Sequence, residues 1–178
     1  MALKYLLLGL IAIFWTALSC TFSPPALASD AEIKAAFIYN IIKYTNWPEN
    51  ALPRDSQLIL CYVGATSPLS ESIASLHGKH VDTHPVAVRN TTRLDALESC
   101  HVVVLGQDIG IDSLRQIRLP FALTLGEGES FIDAGGSIGL FPLGGRIRFD
   151  VNLDASHANG IKISAYLLRL ARNVRGQQ

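Results

Sequence analysis

The 178 residues are 49% apolar and 17% charged, a balance that suits one domain with its own core and excludes a disordered chain. Fifteen Lys and Arg face fifteen Asp and Glu, so no basic surplus is present to attract nucleic acid. Arg169, Arg172 and Arg175 form the one local run, three apart in a predicted terminal helix whose last turn favours cations.

Residues 1–28 carry a single charge, Lys4, then an apolar run over residues 5–18 and the small-x-small ending Ala26-Leu27-Ala28. This pattern predicts a secretory signal peptide cleaved before Ser29, leaving 29–178 as one domain without membrane insertion. An uncleaved anchor is the alternative, although the run is short for a bilayer span. Cys20 follows Ala17-Leu18-Ser19, which puts leucine at the wrong place for lipoprotein processing. Export makes the two remaining cysteines informative. Cys61 and Cys100 read first as a disulfide in an oxidising compartment, and otherwise as two thiols buried beside apolar strands.

Along residues 32–48, Ile33, Phe37, Ile41 and Tyr44 recur at steps of four, four and three, the period of a helix burying one face. Ile38, Ile42 and Trp47 add a second apolar stripe, and Trp47-Pro48 is the predicted stop. One stripe faces the core and the other lies under another element or meets a partner. Residues 58–63 then form a continuous apolar run ended by Gly64, as expected of a strand covered on both faces. Ser67 and Pro68 open a short crossover helix to Leu76.

An extended segment with a proline follows at residues 79–89, placing it near a sheet edge. Thr92 caps a turn to Ser99, and residues 102–105 are a β-branched strand bounded by Gly106. A helix over 111–117 and a strand over 121–125 continue the alternation, which argues for a largely parallel sheet flanked by helices. Helical turns over 129–134 end at Gly135-Gly136. Residues 137–141 and 146–152 then make a hairpin, whose second strand buries Ile147, Phe149 and Val151 on one face only. Asp154 caps a short helix to Gly160, and residues 163–174 read as a terminal amphipathic helix with Leu167, Leu170, Ala171 and Val174 inward. The fold class is therefore a single α/β domain with a C-terminal β-hairpin and a terminal helix.

Catalytic patterns fail on context. Gly135-Gly136-Ser137-Ile138-Gly139 has the letters of a nucleophile elbow, with Asp150 or Asp154 and His157 following in hydrolase order. An elbow needs a strand before its serine and a helix after it, whereas helical turns precede this serine and a hairpin follows. His77, His80 and His84 have ligand-like spacings, but on a loop and an extended segment whose side chains alternate between faces. Gly126-Glu127-Gly128 is no phosphate loop. Neither enzyme activity, cofactor nor metal is expected, and an exported α/β domain without chemistry points to binding or regulation.

Glu32-Ile33-Lys34-Ala35-Ala36-Phe37-Ile38-Tyr39-Asn40, then Lys43 and Trp47-Pro48, resembles the opening of the YfiR family. Gly135-Gly136, the run from Arg146 to Leu153, and Gly160-Ile161-Lys162-Ile163-Ser164 through Arg172 are similar to its C-terminal half. The resemblance implies a periplasmic, non-enzymatic repressor. Such a protein binds the periplasmic sensor domain of an inner-membrane diguanylate cyclase, lowers cyclic di-GMP output and affects biofilm formation. It further implies a homodimer and redox-responsive cysteines. Cys61 and Cys100 fit one disulfide of that family, while a second pair expected near residues 135–145 is absent.

The expected partner surface is the spare helix stripe, Ile38, Ile42 and Trp47, together with Arg146, Arg148 and Asp150 on the one-sided strand. The alternative reading is a periplasmic small-ligand sensor that uses the pocket beyond the strand ends and acts on another membrane signalling protein.

Overall fold

A computed structural model describes residues 28–110, 112–113 and 119–176. Helix α1 (Asp30–Lys43) opens it. Ser29 accepts from the Glu32 amide and Glu32 accepts from the Ser29 amide, a capping box that satisfies two otherwise orphaned donors. The helix ends earlier than Trp47-Pro48 predicts, because β1 (Thr45–Asn46) is already drawn into pairing with β9 (Lys162–Ile163). Strand β2 (Leu58–Val63) matches the predicted apolar run, and α2 (Pro68–Ala74) starts on the Ser67 cap with proline in its first turn.

Beyond α2 come β3 (His80–Val81), β4 (His84–Thr91), β5 (Val102–Leu105), β6 (Leu123–Glu127), β7 (Ile138–Leu143) and β8 (Arg146–Asn152). Helices α3 (Leu153–Ala158) and α4 (Ala165–Leu170) and strand β10 (Asn173–Arg175) complete the described chain. The main sheet runs β10-β8-β7-β6-β5-β2-β4-β3 among the described residues, parallel except at β7/β8 and β3/β4.

Alternation along the central strands feeds two cores. Leu58, Leu60, Tyr62, Val102, Val104, Leu123 and Leu125 meet α1 and α2 on one face. Cys61, Val63, Val103 and Leu105 meet Leu97, Cys100, Leu119, Ala122 and Phe131 on the other. This two-sided burial is why β2 and β5 read as continuous apolar runs. Strand β8 alternates in sequence, but Phe149, Asp150, Val151 and Asn152 are all buried, which corrects the expectation of one buried face.

Several predicted boundaries move for identifiable reasons. Phe121 has φ +64, and its amide donates to the Asn159 carbonyl, so β6 begins two residues later than expected. Gly144 and Gly145, with φ of +60 and +71, make the hairpin turn alone and leave Pro142 and Leu143 in β7. Asn152 rather than Asp154 caps α3, accepting from the Ala155 amide. The predicted terminal helix is corrected too: α4 stops at Leu170, and the chain becomes β10, parallel to Asp150–Asn152 of β8. Leu170 and Val174, expected inside, are exposed. Most of the predicted 111–117 helix, and the predicted signal peptide except Ala28, lie outside the described residues.

Candidate functional site

Helix α1 resolves its two stripes by direction. Ala35, Ile38, Ile41 and Ile42 are buried against the sheet, while Ile33 is 40% exposed and Tyr44 38%. Phe37, half-buried, lies between them. Two depressions share that ring and together form a groove along the flank of α1. One, of 320 Å³, lies between Phe37 and Ile41 of α1, Tyr44 at its C-terminal cap, Phe149 of β8, and Tyr166 and Leu170 of α4. The other, of 510 Å³, has Ile33, Pro142 and Ile147 as apolar walls, with Arg146 and Arg148 beside them and Asp30 at its end.

Leu170 and Tyr166 are about half exposed, so the groove is an uncovered apolar surface. The Tyr44 and Tyr166 rings stand 4.8 Å apart, and the Arg169 guanidinium lies 5.8 Å from the Tyr166 ring centre.

Burial corrects the expected partner surface. Ile38 and Ile42 have no exposed area, and they are the stripe that faces the core. Asp150 is 2% exposed, held by the Nε and Nη2 of Arg172. Trp47 is half-buried and donates its indole N–H to the Phe121 carbonyl at 2.9 Å, which pins the segment after α1 to the start of β6. Arg146 and Arg148 are exposed and flank the groove. Residues 33, 37 and 44 carry the accessible stripe instead. Their spacing was visible in the sequence, but periodicity alone does not say which of two stripes meets the sheet.

The elbow-like glycines serve packing. Ser137 is buried, its amide donates to Thr124 Oγ1 at 2.9 Å, and its hydroxyl accepts from the same threonine. Gly126 and Gly136 flank the Phe131 ring so closely that a Cβ at either would collide with it. Among the described residues no group of three or more His, Cys, Asp or Glu side chains is placed to hold a metal ion. The histidines serve the backbone: His77 Nδ1 accepts from the Val88 amide, and His84 Nδ1 lies 3.0 Å from the Ser56 carbonyl. His101 Nδ1 accepts from the Ile59 amide, so the proton sits on Nε2, 3.0 Å from the Ala51 carbonyl. Burial holds this imidazole below the usual histidine range, with His84 adding a smaller push the same way.

A separate crevice of 550 Å³ opens at the carboxyl ends of β2, β5 and β6. The sheet order reverses between β2 and β5, so this is the topological switch point where open α/β sheets bind ligands. Lys34 spans its wall, bonded to Asp30 at 2.7 Å and Glu127 at 2.6 Å. These partners raise the lysine above its ordinary range, although desolvation, the largest single effect, works against them. Gln107 donates to Glu127, and Asp108 accepts from the Ala65 amide.

Cys61 and Cys100 are bonded, with Cα atoms 5.9 Å apart, inside the second core. The described residues thus form a disulfide-stapled α/β domain with an open apolar groove beside α1. The chain is a member of the YfiR/HmsC-like family, whose match spans residues 31–172. Members of that family are known as periplasmic regulators of diguanylate cyclases, regulatory rather than catalytic. No curated protein matches the chain.

Among solved structures, a conserved domain protein from Vibrio cholerae O1 biovar El Tor aligns at 14% identity and a TM-score of 0.49, over 83% of this chain and 60% of that one. The ABC domain in complex with L-Trp from Streptococcus pneumonia aligns at 10% identity and 0.47, over 81% and 60%. The chain thus spans about 60% of the length of each.

Proposed function

We propose that this protein is an exported periplasmic repressor that binds the sensor domain of an inner-membrane diguanylate cyclase, lowering cyclic di-GMP output and biofilm formation. Cleavage before Ser29 releases it, and it acts as a homodimer. Family membership over residues 31–172 carries the reading. The uncovered groove beside α1 supports it, because a regulator of this kind needs an accessible apolar surface rather than a nucleophile. The binding surface is the groove with its flanking Arg146 and Arg148; Trp47 orients the segment behind it.

Co-purification of the tagged, exported protein with a membrane diguanylate cyclase, and a rise in cyclic di-GMP when its gene is deleted, test the proposal. A deletion that leaves cyclic di-GMP unchanged, with no cyclase recovered, overturns it. The crevice at the sheet's switch point favours a second reading, a small-ligand sensor acting on another membrane signalling protein. A ligand-dependent rise in melting temperature without any partner present would support that reading.

A further inference from the structure

The groove beside α1 has a shape and a charge that specify its occupant. Its accessible positions, Ile33 and Phe37 of α1 and Tyr44 at the C-terminal cap, form a ridge of roughly three turns, about 16 Å long at 1.5 Å per residue. Such a ridge packs against the grooves of a second helix. On the α1 flank beside the β7/β8 hairpin, the described cover is only the six-residue α4.

The rim is cationic. Arg146 and Arg148 stand at the hairpin end, and Arg169 beside Tyr166 at the other. None of these three makes an ion pair among the described residues. The one carboxylate on the groove, Asp30, is already bonded to Lys34.

We infer that the groove takes an amphipathic helix of about three turns from the membrane partner, with an apolar stripe against Ile33, Phe37 and Tyr166 and carboxylates along its flanks. This rests on the partner-binding reading above. It adds the chemistry of the segment that docks: apolar contact supplies the affinity, and the arginines set orientation and exclude basic helices.

The test uses the full exported chain and two fluorescent 14-residue helical peptides with the same leucine stripe, one with glutamate flanks and one with lysine flanks. The glutamate peptide should bind roughly tenfold tighter at low salt, an advantage that shrinks as salt rises. The double variant Arg146→Glu/Arg148→Glu should reverse the preference, and Ile33→Asp, at an exposed position, should abolish binding of both peptides without lowering the melting temperature.

Equal binding of the two peptides, or none, overturns the inference even where the cyclase sensor domain still binds the protein. Binding of the glutamate peptide with the predicted reversal upholds it even where no cyclase is captured, and the function reading then fails alone. If sedimentation shows a dimer that Ile33→Asp dissociates and that excludes the glutamate peptide, a second copy occupies the groove and the inference is overturned.

Discussion

Arg172 holds Asp150 through two guanidinium nitrogens, where the carboxylate is almost wholly buried at the point at which β10 joins β8. The same guanidinium bonds Glu129 at 2.7 Å and lies 4.1 Å from the centre of the Phe141 ring. A planar fork that meets two carboxylates and an aromatic face has no lysine equivalent. Arg172→Ala and Arg172→Lys should therefore both lower the melting temperature clearly, since each leaves the buried Asp150 short of its partner. Arg93→Ala, which removes an exposed pair with Asp95, should leave it unchanged. Thermal melts of the three variants check this.

Phe131 sits between Gly126 and Gly136, and neither position has room for a Cβ. Gly136→Ala should cost about 1–3 kcal/mol through overpacking. A smaller ring-side residue should relieve it, so Phe131→Leu combined with Gly136→Ala is expected to lose less than the two single changes added together. Urea titration of the three variants gives the coupling.

The Cys61–Cys100 bridge closes a loop of 39 residues around α2, β3 and β4. On the chain-entropy model it contributes roughly 4 kcal/mol. Intact-mass measurement of the protein purified without reductant should show the pair linked, and Cys61→Ala/Cys100→Ala should fold with a lowered urea midpoint. Two alkylatable thiols in the native protein would contradict the assignment.

His101 binds the Ile59 amide only when neutral, and burial depresses its pKa. A group whose folded pKa lies below its unfolded value contributes stability that is present above the unfolded value, about 6.5 for histidine, and is lost as pH falls through the folded one. Melting temperature should therefore drop on acidification below about pH 6.5. His101→Gln, which does not titrate, should show a shallower drop over the same interval, whatever its stability at neutral pH.

Ile38→Asp and Ile33→Asp separate the two stripes of α1. The first puts a carboxylate where there is no solvent and should cost about 4 kcal/mol or more, enough to unfold a marginal domain. The second alters an exposed side chain and should leave the circular dichroism melt unchanged.

Strands β2 and β5 could be read from sequence to the residue, because burial on both faces leaves a contiguous apolar signal that a polar residue opens and a glycine ends. The bounds of β8 were equally plain, but its one-sided burial holds only to Arg148, since Asp150 and Asn152 are buried where β10 pairs with it. Where reading failed, distant contacts decided the outcome. The arginines at 169, 172 and 175 fit a helix end by spacing, but Asp150, Glu129 and Asp133 draw Arg172 and Arg175 across to the sheet and convert the last turn into a strand. The groove was half legible for a similar reason. A surplus of apolar residues on α1 announces a second surface, and only the position of the sheet shows that Ile33, Phe37 and Tyr44 supply it.

The two margins of the main sheet are fastened by different chemistry. At the β3/β4 margin the disulfide roots the whole crossover in a covalent ring, so β4 can fray without drifting away from β2. At the β10 margin, three backbone pairings and the ion pairs of Arg172 and Arg175 are the hold among the described residues. Amide exchange should accordingly become faster at the first margin when reductant is added and at the second when ionic strength is raised, which makes the domain a sheet that opens from either side on a different solvent cue.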